Sequence, residues 1–281
     1  MIADPHTHGA STPDTAAPEA TAPEANAQRG PIRGVLEEMR WPDVRDAKWP
    51  VAIMPWGATE PHNTHLPYGT DTILGRTVAA RVAELCNARG VRVIALPAMP
   101  FGVNTTQLDL PLTLSVMPTT QLMLLRDVMR SLAPHGVRAL VLLNAHGGNE
   151  LKALVRELHP EAPMLLAIVN WWQAADASVF AAAGDHAGEL ETAAMLHVAP
   201  ELVSAPETWG DGTAKESVFE GVRRGWAWMP RRWTQVTADT GVGNPRAATV
   251  AKGETFVAQA VERIATFCTD LATADDAHLY R

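Results

Sequence analysis

Four short, nearly continuous apolar runs constrain the fold most: residues 51–54, 91–96, 137–143 and 164–169. A strand with one wet face alternates apolar and polar residues. These runs do not, so both of their faces are expected to be buried. Segments with helical periodicity lie between and after them. In residues 72–87, Ile73, Leu74, Val78, Val82 and Leu85 share one face. Further helices are predicted over 118–132, opened by Pro118 at a position where its missing N–H costs little, over 150–158, over 189–197 and over 249–272. Doubly buried strands alternating with helices predict an α/β fold with a parallel sheet covered on both faces. Sites in such sheets form at the carboxyl ends of the strands.

Composition narrows the function. The 281 residues are 47% hydrophobic and 19% charged, enough for a sizeable core. The net charge of −8 and the lack of a Lys/Arg-rich stripe argue against a nucleic-acid partner, because binding phosphates needs a basic surface. No apolar stretch approaches the length of a bilayer span, so no membrane role is expected. The N-terminus lacks the basic start and apolar segment of a secretory signal, and Cys86 and Cys268 sit in helical apolar patterns as free thiols. A cytoplasmic protein is expected. Residues 1–29 are rich in Ala, Pro, Thr and Glu and predict a disordered tail whose His6 and His8 are solvated. Residues 30–281 are expected to form a single domain. Within it, residues 206–247, rich in Trp, Gly and Arg, have little periodicity and predict an extended loop excursion.

The chemistry concentrates in three clusters. Glu60, His62, His65 and Asp71 follow the first strand. Asp71 precedes a predicted helix, where an Asp is a common cap, yet a carboxylate can also bridge two cations. His65 is expected to support a neighbouring imidazole. The second cluster is Asn144, His146, Gly147, Gly148 and Asn149 after the third strand, where two glycines let a ligand approach the backbone. The third is Asp185, His186, Glu189 and Glu191 at a helix start. Glu189 and Glu191 are two apart and cannot share a helix face, so one binds metal while the other packs away. Imidazole and carboxylate donors on converging loops suit a zinc- or manganese-type site that activates water, with His186 moving the proton.

Together these residues resemble the creatininase (creatinine amidohydrolase) family. The pattern runs Gly57, Ala58, Thr59, Glu60, His62, His65, Leu66, Pro67, Gly69, Thr70 and Asp71, then Asn144, His146, Gly147, Gly148 and Asn149, then His186, Ala187, Gly188, Glu189, Glu191 and Thr192. A late motif runs from Gly243 and Asn244 to Thr249 and Gly253. The resemblance covers about residues 34–270. It implies a three-layer α/β/α sandwich with a mostly parallel central sheet and two divalent metal ions, zinc, manganese or iron. It also implies hydrolysis of cyclic or linear amide C–N bonds, here expected in a small, cyclic polar substrate, and a homo-oligomer, often a hexamer. By position, Glu60 and His146 resemble ligands of one metal, His62 a ligand of the other, and Asp71 the bridge. Creatininase carries a Glu where this chain has Gly148, and Glu189 is the expected replacement. His186, with Glu189, is expected to be catalytic. Asn104, Gly147, Gly148, Trp171, Trp172 and Asp185 are expected to contact substrate. Departures at Pro61 and Asn63, and over residues 104–113, leave the substrate open. The alternatives are C–C ring opening of a cyclic polyol ketone and a non-catalytic binding protein.

Overall fold

A computed structural model describes residues 33–280; the expected N-terminal tail lies outside the described residues. A single helical turn, α1 (Trp41–Val44), leads into β1 (Val51–Trp56), α2 (Thr70–Ala88) and β2 (Val93–Ala95). Then come α3 (Pro118–Leu132), β3 (Ala139–Asn144), α4 (Leu151–Leu158) and β4 (Leu165–Asn170). The chain continues through β5 (Gly184–His186) and α5 (Glu189–Val198) into the one-turn helices α6 (Glu220–Arg223) and α7 (Trp233–Val236). It closes with β6 (Val242–Gly243) and α8 (Val250–Thr273).

The apolar runs form one four-stranded parallel sheet, in the order β2-β1-β3-β4, with Val51 opposite both Val93 and Ala139. Side chains alternate across it. Val51, Ile53, Val93, Ala139 and Val141 pack with α2, α5 and α8 on one face. Ala52, Met54, Trp56, Ile94, Leu140 and Leu142 pack with α3 and α4 on the other. The result is the expected three-layer α/β/α sandwich. Every residue of β1 and β3 is buried, which is why neither run alternates. β5 and β6 make a separate antiparallel pair. Among the described residues no helix is long and apolar enough to cross a membrane.

Helix starts differ from expectation in one place that matters. α2 begins at Thr70 behind Gly69, so Asp71 lies inside the first turn and is not the cap. Its side chain is available for other work. Thr249, expected as the first residue of the last helix, is instead the cap of α8, its hydroxyl accepting from the Lys252 N–H at 3.3 Å. The excursion 206–247 contains only single helical turns and a two-residue strand. Its tryptophans divide: Trp209 and Trp233 are buried, while Trp226 and Trp228 are exposed.

α8 and α5 touch at Gly253, where an added Cβ would collide with the Ala193 carbonyl. Two effects oppose each other in Gly253→Ala. Removing a helix glycine favours the helix by about 1 kcal/mol, whereas overpacking against backbone costs about 1–3 kcal/mol. A carbonyl cannot rotate away as a side chain can, so the collision wins. Gly253→Ala is expected to lower the denaturant midpoint, with a net loss of up to about 2 kcal/mol. A midpoint equal to or above that of the parent chain would show that the helices are not in tight contact there.

Candidate metal centre

The carboxyl ends of the parallel strands bring the first two sequence clusters together, and the separate strand β5 brings the third beside them. Glu60 follows β1, His146 follows β3, Trp171 follows β4, and His186 ends β5. They surround a cavity of about 650 Å³. Glu60, Asp71, His146, His186 and Glu191 line it, as do the expected substrate contacts Asn104, Gly147, Gly148, Trp171, Trp172 and Asp185. His62 lies fully buried behind them.

Asp71 is the centre of the arrangement. Its Oδ1 lies 3.0 Å from His62 Nε2, and its Oδ2 lies 3.0 Å from His146 Nδ1. His146 Nδ1 also lies 2.9 Å from Glu60 Oε1. His62 Nδ1 donates to the Glu60 carbonyl at 2.9 Å, which fixes its ring and turns Nε2 towards Asp71. Three donor groups result: Glu60, Asp71 and His146; His62, Asp71 and Glu191; and Glu60, His62 and His186. Within each, the ligand atoms lie within 4.8 Å of one another. Asp71 Oδ2 is buried and, despite its short distance to His146, has no aligned hydrogen-bond donor. A buried carboxylate oxygen without a donor costs about 1–3 kcal/mol unless something else compensates it. A cation held by Glu60, Asp71 and His146 would do so. The donor set therefore fits a divalent metal.

Electrostatics point the same way. Burial works to raise the carboxyls of Glu60 and Asp71. The imidazoles of His146 and His186 around Glu60, and of His62 and His146 around Asp71, outweigh it and hold both below the usual carboxylate range. Burial would likewise lower the His62 imidazole, but Asp71 overrides it and pushes His62 up to about 10. His146 is raised despite burial by Glu60 and Asp71. Imidazoles that hold protons so firmly sit in a field that attracts any cation. Glu191 behaves differently: burial raises it, and His62 offsets this only in part.

His186 packs its ring 4.2 Å from that of His62, and its Nε2 donates to the Pro61 carbonyl at 2.8 Å. Its Nδ1 therefore faces the site, 3.7 Å from Glu60 Oε1. Ala187, next to it, has a φ of 51°, a left-handed conformation that a non-glycine residue rarely adopts. This turn lets the Ala187 N–H donate to Glu191 Oε2 at 2.5 Å. His65, expected to support a neighbouring imidazole, is bonded to the Thr192 hydroxyl at 2.8 Å and stacked on Trp209. Burial and then His62 push it down to about 4, so it stays neutral.

Glu191, not Glu189, is brought to His62 and Asp71. Glu189 Oε2 accepts from the N–H groups of Ala181 and Ala182, both at 2.8 Å, and its Oε1 pairs with Lys252. Glu189 is thereby tied to α8 and to the loop before β5. Gly148 cannot be replaced by a longer residue in place, because a Cβ there would strike His146 Nε2 and the Val103 carbonyl. Asn63 adopts a φ of 55° and turns to the 210 loop, where its Oδ1 accepts from Gly210 N–H at 3.0 Å. It is not part of the cavity wall. Gln107, which the sequence did not single out, donates to Glu60 Oε2 and leaves its own Oε1 unpaired and buried. Asn104 donates to the Leu114 carbonyl at 2.9 Å and likewise keeps Oδ1 unpaired. Trp233 was missed too; its ring stands edge-on to His186 at 5.2 Å.

The family model for creatininase, described as creatinine amidohydrolase, matches residues 37–268. A mycofactocin precursor peptide peptidase of Mycobacterium ulcerans is 30% identical over 223 residues, covering 76% of this chain and 82% of that protein. The crystal structure of a Bacteroides fragilis protein, provisionally assigned as a creatinine amidohydrolase, is 41% identical with a TM-score of 0.84, covering 89% of this chain and 99% of that one. A manganese creatininase shares the fold at 23% identity with a TM-score of 0.71, covering 86% of this chain and 99% of that one. The motifs around Glu60, His146 and His186, the parallel sheet and these matches agree: the chain belongs to the creatininase family.

Proposed function

We propose that the chain hydrolyses an amide C–N bond using two divalent cations. One would be held by Glu60, Asp71 and His146, the other by His62, Asp71 and Glu191. The single observation that carries this is that Asp71 belongs to both groups, offering one oxygen to each side. Glu191 takes the place first expected of Glu189. When bound, such cations supply a Lewis acid for the carbonyl oxygen and lower the pKa of water towards neutrality. Manganese and zinc suit a set of imidazole and carboxylate donors.

The remaining roles belong to the chain's own residues. His186 Nδ1 is the atom that would take a proton and pass it to the departing nitrogen, with Nε2 kept protonated by the Pro61 carbonyl. Gly147 has open space around its Cα, so a substrate can lie against its backbone. Trp171, packed edge-on to Phe256 at 5.7 Å, and Trp172 give an apolar wall. The cavity of about 650 Å³ is several times larger than a small lactam. We therefore extend the substrate from small cyclic amides to linear, peptide-like ones. The names of both kinds of relative, peptide peptidase and creatinine amidohydrolase, describe amide cleavage. The C–C alternative drew on Asn63, which bonds to Gly210 and does not line the cavity.

Metal analysis tests the ligand assignment. Purified protein is expected to hold about two equivalents of divalent metal. His146→Ala and Glu191→Gln are each expected to lose about one, while Glu189→Gln keeps both. Full metal content in Glu191→Gln would remove that residue from the site. Turnover tests the proton path: His186→Ala is expected to keep its metal and lose roughly 10²–10⁴-fold in kcat on an amide substrate. A variant with unchanged kcat would exclude His186 from proton transfer.

A further inference from the structure

The titratable side chains of the cavity wall are carboxylates and imidazoles except at one point. Among the described residues that line it, Arg231 is the one Arg or Lys, set against Glu60, Asp71, Asp185, Glu189 and Glu191. It is not loosely placed. Its guanidinium carbon lies 4.5 Å from the centroid of the Trp233 ring. That ring is in turn fixed, being 3% exposed, with its indole N–H donating to the Thr240 carbonyl at 2.9 Å. The other side of the contact chain is His186, edge-on to Trp233 at 5.2 Å. Arg231 is therefore held one aromatic ring away from the group assigned to proton transfer.

Its partner is informative. Arg231 Nη1 donates to Asp185 Oδ2 at 2.8 Å, and the two side chains are 46% and 53% exposed. Ion pairs that exposed are weak and exchange readily. A guanidinium carries five N–H donors in a planar fork that matches a carboxylate. Asp185 uses one oxygen of one carboxylate, so the position already accommodates that group from outside the ring stack. An aromatic face beneath the guanidinium keeps it oriented without neutralising it.

From this we propose that Arg231 and Trp233 form a subsite for a substrate carboxylate, and that the enzyme prefers amides bearing one, as in an N-acyl amino acid. The carboxylate displaces Asp185 from the guanidinium, and the amide extends past Trp233 towards His186. The inference rests on the amide hydrolase reading above for its substrate class, but its test reads binding and does not need turnover. The wall adds selectivity, because an anion finds no other Arg or Lys among the described residues that line it.

The experiment is a ligand-detected NMR titration of the metal-loaded protein with N-acetylglycine and, separately, with the neutral N-acetylglycinamide. The parent chain is expected to bind the carboxylate about tenfold more tightly than the amide. Arg231→Met should abolish that preference while leaving metal content and binding of the neutral probe unchanged. Arg231→Lys should retain part of it, and Asp185→Asn should strengthen it by removing the competitor. No preference in the parent chain overturns the proposal. So does a preference that survives Arg231→Met, which would place the carboxylate on the metal ions. Melting temperatures of the variants identify any that fail to fold, and Asp185→Asn then carries the test: unchanged affinity for N-acetylglycine refutes the subsite. A protein that shows the preference but hydrolyses no amide would refute the reaction and leave the subsite standing.

Discussion

The carboxylate of Asp71 is the contact on which the rest of the site depends. It is 1% exposed and lies between two imidazoles that come from different loops. An isolated buried carboxylate is too costly to keep ionised. Here His62 and His146 hold it ionised, and Glu60 and Glu191 in turn balance the imidazoles. Removal of Asp71 takes one counter-charge from both imidazoles at once. The scaffold supplies the geometry by ending β1 and β3 side by side, with Trp56 opposite Asn144, so that the loops bearing Glu60 and His146 leave the sheet together. Asn149, in the loop that bears His146, ties them further, its side-chain amide donating to the Gly57 carbonyl just after β1 at 3.4 Å.

Much of this was legible in the residues. Apolar runs without alternation gave the parallel sheet, because a strand buried on both faces has no reason to alternate. Glu60, His62, Asp71 and His146 could be picked out because His and carboxylates rarely cluster after strands without a task. What failed to show was the choice between Glu189 and Glu191. Both stand at a helix start, where acidic residues are favourable in any case. The left-handed turn at Ala187 decides which one faces His62, and Lys252, on a helix 63 positions away, claims the other. No local pattern encodes either. Arg231 and Trp233 were invisible for a related reason: they sit in an aperiodic excursion, and only the folded chain places them beside His186.

Gly148 and Glu191 form one physical problem seen from two sides. At Gly148 the backbone passes so close to the His146 ring and the Val103 carbonyl that no side chain fits. A carboxylate for the His62 side of the site has to arrive from elsewhere, and α5 delivers it. A ligand on a packed helix is held by the core, whereas one on a glycine turn moves with the turn.

That delivery has a consequence in time. Glu191 is held in place by α5, and α5 is held by α8 through the close approach of Ala193 and Gly253. α8 runs from Val250 to Thr273, near the end of the chain. A ribosome makes Glu60, His62, Asp71 and His146 long before it makes the helix that supports the last carboxylate. During synthesis α5, which carries Glu191, therefore lacks its supporting helix until α8 has emerged. The order of synthesis keeps the hydrolytic centre unfinished until nearly the whole domain has emerged.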